Sequence, residues 1–105
     1  MKIAVCAGEK SGDALGHELL VDLKENIENL EVIGVGGPLM EGQGLKSFFP
    51  IKEISYMGLI DPLLNLRKIL KLRKNFINFL KRENPDVFIG IDSPSFNSGI
   101  CKALR

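Results

Sequence analysis

Asp86-Val87-Phe88-Ile89-Gly90-Ile91, DVFIGI in one-letter code, lies between Asn84-Pro85 and Asp92-Ser93-Pro94. It is a near-continuous apolar run, short, rich in β-branched and aromatic residues, and bounded by turn formers on both sides. That pattern predicts a strand buried on both faces. Upstream of it, Leu63 to Lys81 holds neither glycine nor proline and repeats its apolar residues at helical spacing, so it predicts a long helix that Asn84-Pro85 ends. Further back the alternation repeats. Lys2 to Ala7 is an apolar run closed by Gly8, and Ser11 to Asn26 is helical, with Leu15, Leu19, Leu20 and Leu23 in register and Ser11 or Asp13 to serve its N-terminus. Glu31 to Val35 is a second apolar run stopped by Gly36-Gly37-Pro38, Leu39 to Gln43 a short helix with Gly44 as its cap, and Leu45 to Phe49 a third, shorter strand. Continuous apolar strands alternating with helices predict an α/β layer fold on a parallel sheet of Rossmann-like type. In such a sheet crossovers are right-handed and ligands gather at the carboxyl ends of the strands.

The last segment, Asn97 to Arg105, reads as the opening of a helix with Ile100 and Leu104 on one face, and it carries no cap, turn or returning strand. The expectation is a truncated domain whose sheet continues beyond these residues. With 105 residues there is room for one compact domain, not two. The net charge of +1 favours no class of partner. Cys6 and Cys101 form no CxxC pair, and neither a zinc site nor a disulfide framework is expected, which fits a reducing, cytosolic setting. The first apolar run is broken at Gly8, Glu9 and Lys10, too early for a signal-peptide core. No stretch approaches the ~20 apolar residues that span a bilayer.

Three constellations fall at predicted strand ends. Gly8-Glu9-Lys10-Ser11-Gly12-Asp13 joins the first strand to the first helix, where free N–H groups and the helix dipole suit an anion. It matches neither a dinucleotide fingerprint nor a P-loop, and a plain capped turn explains it as well. Gly34-Val35-Gly36-Gly37-Pro38 closes the second strand, as a ligand lip or simply as a turn. Asp92, after the DVFIGI strand, points to the crevice and can act as a general base toward a hydroxyl, or it can cap a helix that starts at Pro94. His17, the one histidine, takes no role, and no metal cluster, cofactor motif or Ser-His-Asp arrangement is visible.

The long helix is basic on one side, with Arg67, Lys68, Lys71, Arg73, Lys74, Lys81 and Arg82 and no acid between them. Its apolar set is wider than one core-facing stripe requires. With Met57, Leu59 and Ile60 just ahead of it, the segment fits docking on an anionic membrane face through Ile60, Leu63, Leu66, Arg67, Lys68, Ile69 and Leu70. An ordinary crossover helix with a solvated basic face is the plainer reading. Nucleic acid is disfavoured because the interleaved aromatics are few.

In this order the blocks resemble the lipid-A-disaccharide synthase family. Its Gly-Glu-x-Ser-Gly-Asp motif followed by Leu-Gly is matched by Gly8, Glu9, Ser11, Gly12, Asp13 and Leu15-Gly16. Its Gly-Val-Gly-Gly-Pro-x-Met is matched from Gly34 to Met40, its Met-Gly by Met57-Gly58, and its Pro-Asp-Val-Phe-x-Gly-Ile-Asp-x-Pro-x-Phe-Asn from Pro85 to Asn97. Ser95 stands where the family commonly has aspartate, and His17-Glu18 where it has small residues. The resemblance implies a GT-B glycosyltransferase of two Rossmann-like halves, of which this chain is part of the N-terminal, acceptor-side one. It implies inverting transfer of 2,3-diacylglucosamine from UDP-2,3-diacylglucosamine to the 6-hydroxyl of 2,3-diacylglucosamine 1-phosphate (lipid X), without a cofactor, on the cytoplasmic face of the inner membrane. Asp92 inherits the role of base. Gly8, Glu9, Ser11, Gly12, Asp13, Gly36, Gly37, Met57, Gly58 and Asn97 inherit substrate contacts, and the UDP-binding elements fall in the C-terminal half. A non-catalytic α/β module that binds membrane or nucleotide is the alternative.

Overall fold

A computed structural model describes residues 1–50, 66–91 and 94–104, the side chains of 94–96 excepted. Strand β1 (Lys2–Ala7) leads into helix α1 (Lys10–Asn26), strand β2 (Glu31–Val35) into the short helix α2 (Pro38–Glu41), and a two-residue strand β3 (Lys46–Ser47) follows. Helix α3 (Leu66–Glu83), strand β4 (Val87–Ile91) and helix α4 (Pro94–Leu104) complete the described chain. The strands form one sheet in the order β3-β2-β1-β4, all neighbours parallel. The expected α/β fold on a parallel sheet is therefore present.

The pleat sorts β1 into two cores. Ala4 and Cys6 face Phe76, Leu80 and Ile100 of α3 and α4, with Ile33 and Val35 beside them. Ile3, Val5 and Ala7 face Leu20 of α1 and Met40 of α2, with Val32 and Leu45. Helices thus cover both faces, which is why β1 and β2 carry no polar alternation. Gly34 lies against β1 with φ +139, and a side chain there would run into the Val5 carbonyl. Only glycine meets both conditions.

Several boundaries differ from expectation. Helix α2 starts at Pro38, whose missing N–H costs nothing at a first helical position, and it ends with Gly42 as cap. Gly44, expected as that cap, sits two residues later with φ +96, where it turns the chain toward β3. The third strand shrinks to Lys46–Ser47, since only these pair with Ile33 and Gly34. Phe48 then stacks on Phe79 of α3 at 4.6 Å between ring centroids. Helix α3 runs on to Glu83 and stops where Asn84 turns left-handed, φ 49, ahead of Pro85. Helix α4 begins at Pro94, earlier than Asn97. Strand β4, expected to be buried on both faces, is half-covered, with Val87 41% exposed, because it forms the edge of the sheet among the described residues.

The amino ends of the strands are pinned by Lys2. Its backbone N–H donates to Asp86 Oδ2 at 2.9 Å, and its ammonium donates to the Glu83 carbonyl at 3.1 Å. Of the two cysteines, Cys6 is buried in the sheet and Cys101 is exposed on α4, and the two form no disulfide with each other.

Candidate functional site

In a parallel sheet all strands end on one edge. Registers Cys6↔Val35 and Ala7↔Ile91 bring the last residues of β1, β2 and β4 side by side. The segments that leave them are Gly8–Asp13, Gly36–Met40 and the one beginning at Asp92. The three constellations thus leave one edge of the sheet. Asp92, Met57, Gly58, Ile60 and Leu63 lie outside the described residues.

The first loop divides into an exposed and a buried part. Glu9, Lys10 and Ser11 are exposed, while Gly8, Gly12 and Asp13 are buried. Glu9 occupies the N-cap of α1 in extended backbone without a side-chain cap bond, so neither Ser11 nor Asp13 caps this helix as expected. The first N–H groups of a 17-residue helix consequently open toward the crevice beside Ser11.

Asp13 is employed elsewhere. Its carboxylate accepts the Gly37 N–H at 2.9 Å, the Met40 N–H at 3.0 Å and the Leu39 N–H at 3.1 Å. It is 5% exposed. It therefore caps α2 from outside that helix, meeting N–H groups that a helix start leaves unsatisfied. His17 adds a bond from Nδ1 to the Leu39 carbonyl at 3.1 Å, with the ring nitrogen as donor, since a carbonyl only accepts. Asp13 thus ties the loop after β1 to the start of α2.

The glycines of the second loop serve the same union. A Cβ on Gly37 would lie 2.6 Å from Asp13 Oδ2. One on Gly36 would lie 2.7 Å from both Leu45 Cδ2 and Met40 Sδ, and one on Gly16 would lie 2.5 Å from Met40 Sδ. Close approach, rather than turning, is what these positions require. The loops after β1 and β2 are consequently joined into one lip.

Asn97, on α4, is 5% exposed. Its Nδ2 donates to the Cys6 and Ile91 carbonyls, each at 3.4 Å. On α3, Ile69 is half-buried, while Leu66 (48%) and Leu70 (41%) are exposed among exposed Arg67, Lys68, Lys71 and Lys74. The helix ends at the amino edge of the sheet, where the Glu83 carbonyl accepts from the Lys2 ammonium at 3.1 Å. No helix among the described residues is long and apolar enough to cross a membrane.

Fold and edge together define an α/β domain with its loops gathered at the carboxyl ends of parallel strands, the place where open α/β sheets generally receive ligands. The family profile described as Lipid-A-disaccharide synthetase matches residues 3–105, so the chain belongs to that family. It is 52% identical over 105 residues to a lipid-A-disaccharide synthase of Pseudomonas fluorescens, covering 100% of this chain and 28% of the relative. It is 50% identical over 103 residues to a lipid-A-disaccharide synthase of Pseudomonas putida, covering 98% of this chain and 28% of that relative. The chain thus spans little more than a quarter of the relatives it matches.

Proposed function

We propose that this chain forms the acceptor-side part of an inverting glycosyltransferase of the GT-B type, in which Asp92 is the general base. The acceptor is 2,3-diacylglucosamine 1-phosphate, the donor UDP-2,3-diacylglucosamine, and a second Rossmann-like domain supplies the UDP-sugar site. Asp92 takes the proton of the acceptor 6-hydroxyl as its oxygen attacks the donor's anomeric carbon and UDP departs. The observation that carries the reading is the meeting of β1, β2 and β4 at one edge, in a chain of this family. Directly after Ile91, a carboxylate starts from that edge.

The open N-terminus of α1 beside Ser11, with Gly8, Glu9 and Gly12, receives a phosphate of acceptor or donor. Gly36 and Gly37 border the same crevice, and Met57 and Gly58 contribute substrate contacts by the family motif they match. Leu66 and Leu70, with Arg67, Lys68 and Ile69, lay this domain on the anionic cytoplasmic face of the inner membrane, where acylated substrates reside, and Ile60 and Leu63, just ahead of them in sequence, add apolar residues to that set.

The test is Asp92→Ala in the full-length enzyme that carries this chain. Transfer is expected to disappear while the far-ultraviolet circular dichroism spectrum is unchanged; retained turnover rejects the assignment. The chain alone is expected to be inactive, because displacement requires the donor held against the acceptor.

A further inference from the structure

We infer that Asn97 is a positioning residue, a clasp across the two strand ends from which the first loop and Asp92 depart; the inference rests on the reading of Asp92 as the base. An Asn amide nitrogen has two hydrogens. Here one is directed at the Cys6 carbonyl and the other at the Ile91 carbonyl, both at 3.4 Å. The opposite orientation of the amide would set its oxygen against two carbonyl oxygens, so the chemistry of the site fixes which way the side chain points.

Both acceptors are placed to matter. The Ile91 carbonyl belongs to the peptide bond that leads into Asp92, so holding it sets the plane from which Asp92 leaves the strand. The Cys6 carbonyl stands next to it in the sheet, since Cys6 pairs with Gly90 and Ala7 with Ile91. One side chain from α4 therefore ties β1 to β4 where each strand gives way to its loop. Gly90 supplies the room, as a Cβ there would lie 2.8 Å from Asn97 Cβ and 2.9 Å from its Cγ. Gly90 and Asn97 are two halves of one contact, and the donor group of Asn97 is directed at the chain itself and not at substrate.

The experiment measures transfer in the full-length enzyme carrying Asn97→Ala, Asn97→Asp or Gly90→Ala, per mole of folded protein, with Asp92→Ala as control. Asn97→Asp preserves shape and loses both hydrogens, while Gly90→Ala displaces an intact Asn97 from the strand side. The expected result is kcat lowered ~10–100-fold, as small misplacements of reacting groups produce, with acceptor KM within about twofold. The acid limb of the kcat–pH profile, which reports a general base, should flatten, because the residual reaction no longer uses Asp92. A raised acceptor KM at unchanged kcat would make Asn97 a substrate contact and overturn the inference. Unchanged kcat per folded molecule with lowered thermal stability would reduce Asn97 to packing and overturn it too. If Asp92→Ala is dead while these variants match the parent, the clasp fails alone; if Asp92→Ala is active, the reading of the base fails first.

Discussion

The Gly37 N–H donates to the Asp13 carboxylate across 24 residues of sequence, at 2.9 Å, and Gly37 can approach that closely only because it has no side chain. The two residues belong to different loops and different helices. Their meeting turns two separate loops into one lip at the edge of the sheet.

Asp13→Ala removes the acceptor of three backbone N–H groups, two of whose bonds are buried. Leaving buried donors without partners costs more than the bonds contribute net, and a loss of about 2–3 kcal/mol is expected. Urea unfolding followed by circular dichroism measures it. Asp13→Asn keeps one oxygen toward the N–H groups and should lose about half as much. A change below about 0.5 kcal/mol for Asp13→Ala, the range of featureless surface sites, would show that the cap contributes nothing.

Gly37→Ala brings a methyl to 2.6 Å from Asp13 Oδ2, so one residue must yield. Overpacking of this kind costs about 1–3 kcal/mol. The Asp13→Gly background removes the obstacle, so the penalty of Gly37→Ala should shrink there. A double-mutant cycle reads that coupling directly. Additive effects would mean that the contact is not the reason for glycine at this position.

Leu66→Glu with Leu70→Glu should leave stability within about 0.5 kcal/mol, because both side chains are already exposed. The same pair should weaken sedimentation with vesicles of anionic phospholipid at least tenfold, and added salt should weaken binding of the parent by screening its lysines and arginines. Undiminished vesicle binding by the double variant would assign α3 an ordinary solvated face.

The sheet was legible from local pattern. KIAVCA, EVIGV and VFIGI are apolar runs closed by turn residues, and the 18-residue α3 shows its period plainly. The site was legible only in outline. Asp13 looked like a cap because it sits in the first turn of its own helix, yet it caps a helix that begins 25 positions later, and short-range rules carry no information about such a partner. Gly36 and Gly37 looked like turn formers, since the same residue type serves close approach and a composition cannot separate the two. Asn97 joined the site residues through family resemblance, and only the fold shows its amide turned inward. Strand β4 read as buried because its residues are those of a central strand, and a neighbour on its outer side is what its composition asks for.

The burial of Cys6 in the middle of the sheet gives the molecule its own clock. Cys101 stands in solvent on α4, while Cys6 lies at 0% exposure beneath α3 and α4. An alkylating reagent therefore adds one mass increment at once and a second only when the sheet opens. The delay between the two, read by mass spectrometry, reports the lifetime of the closed core without any engineered probe.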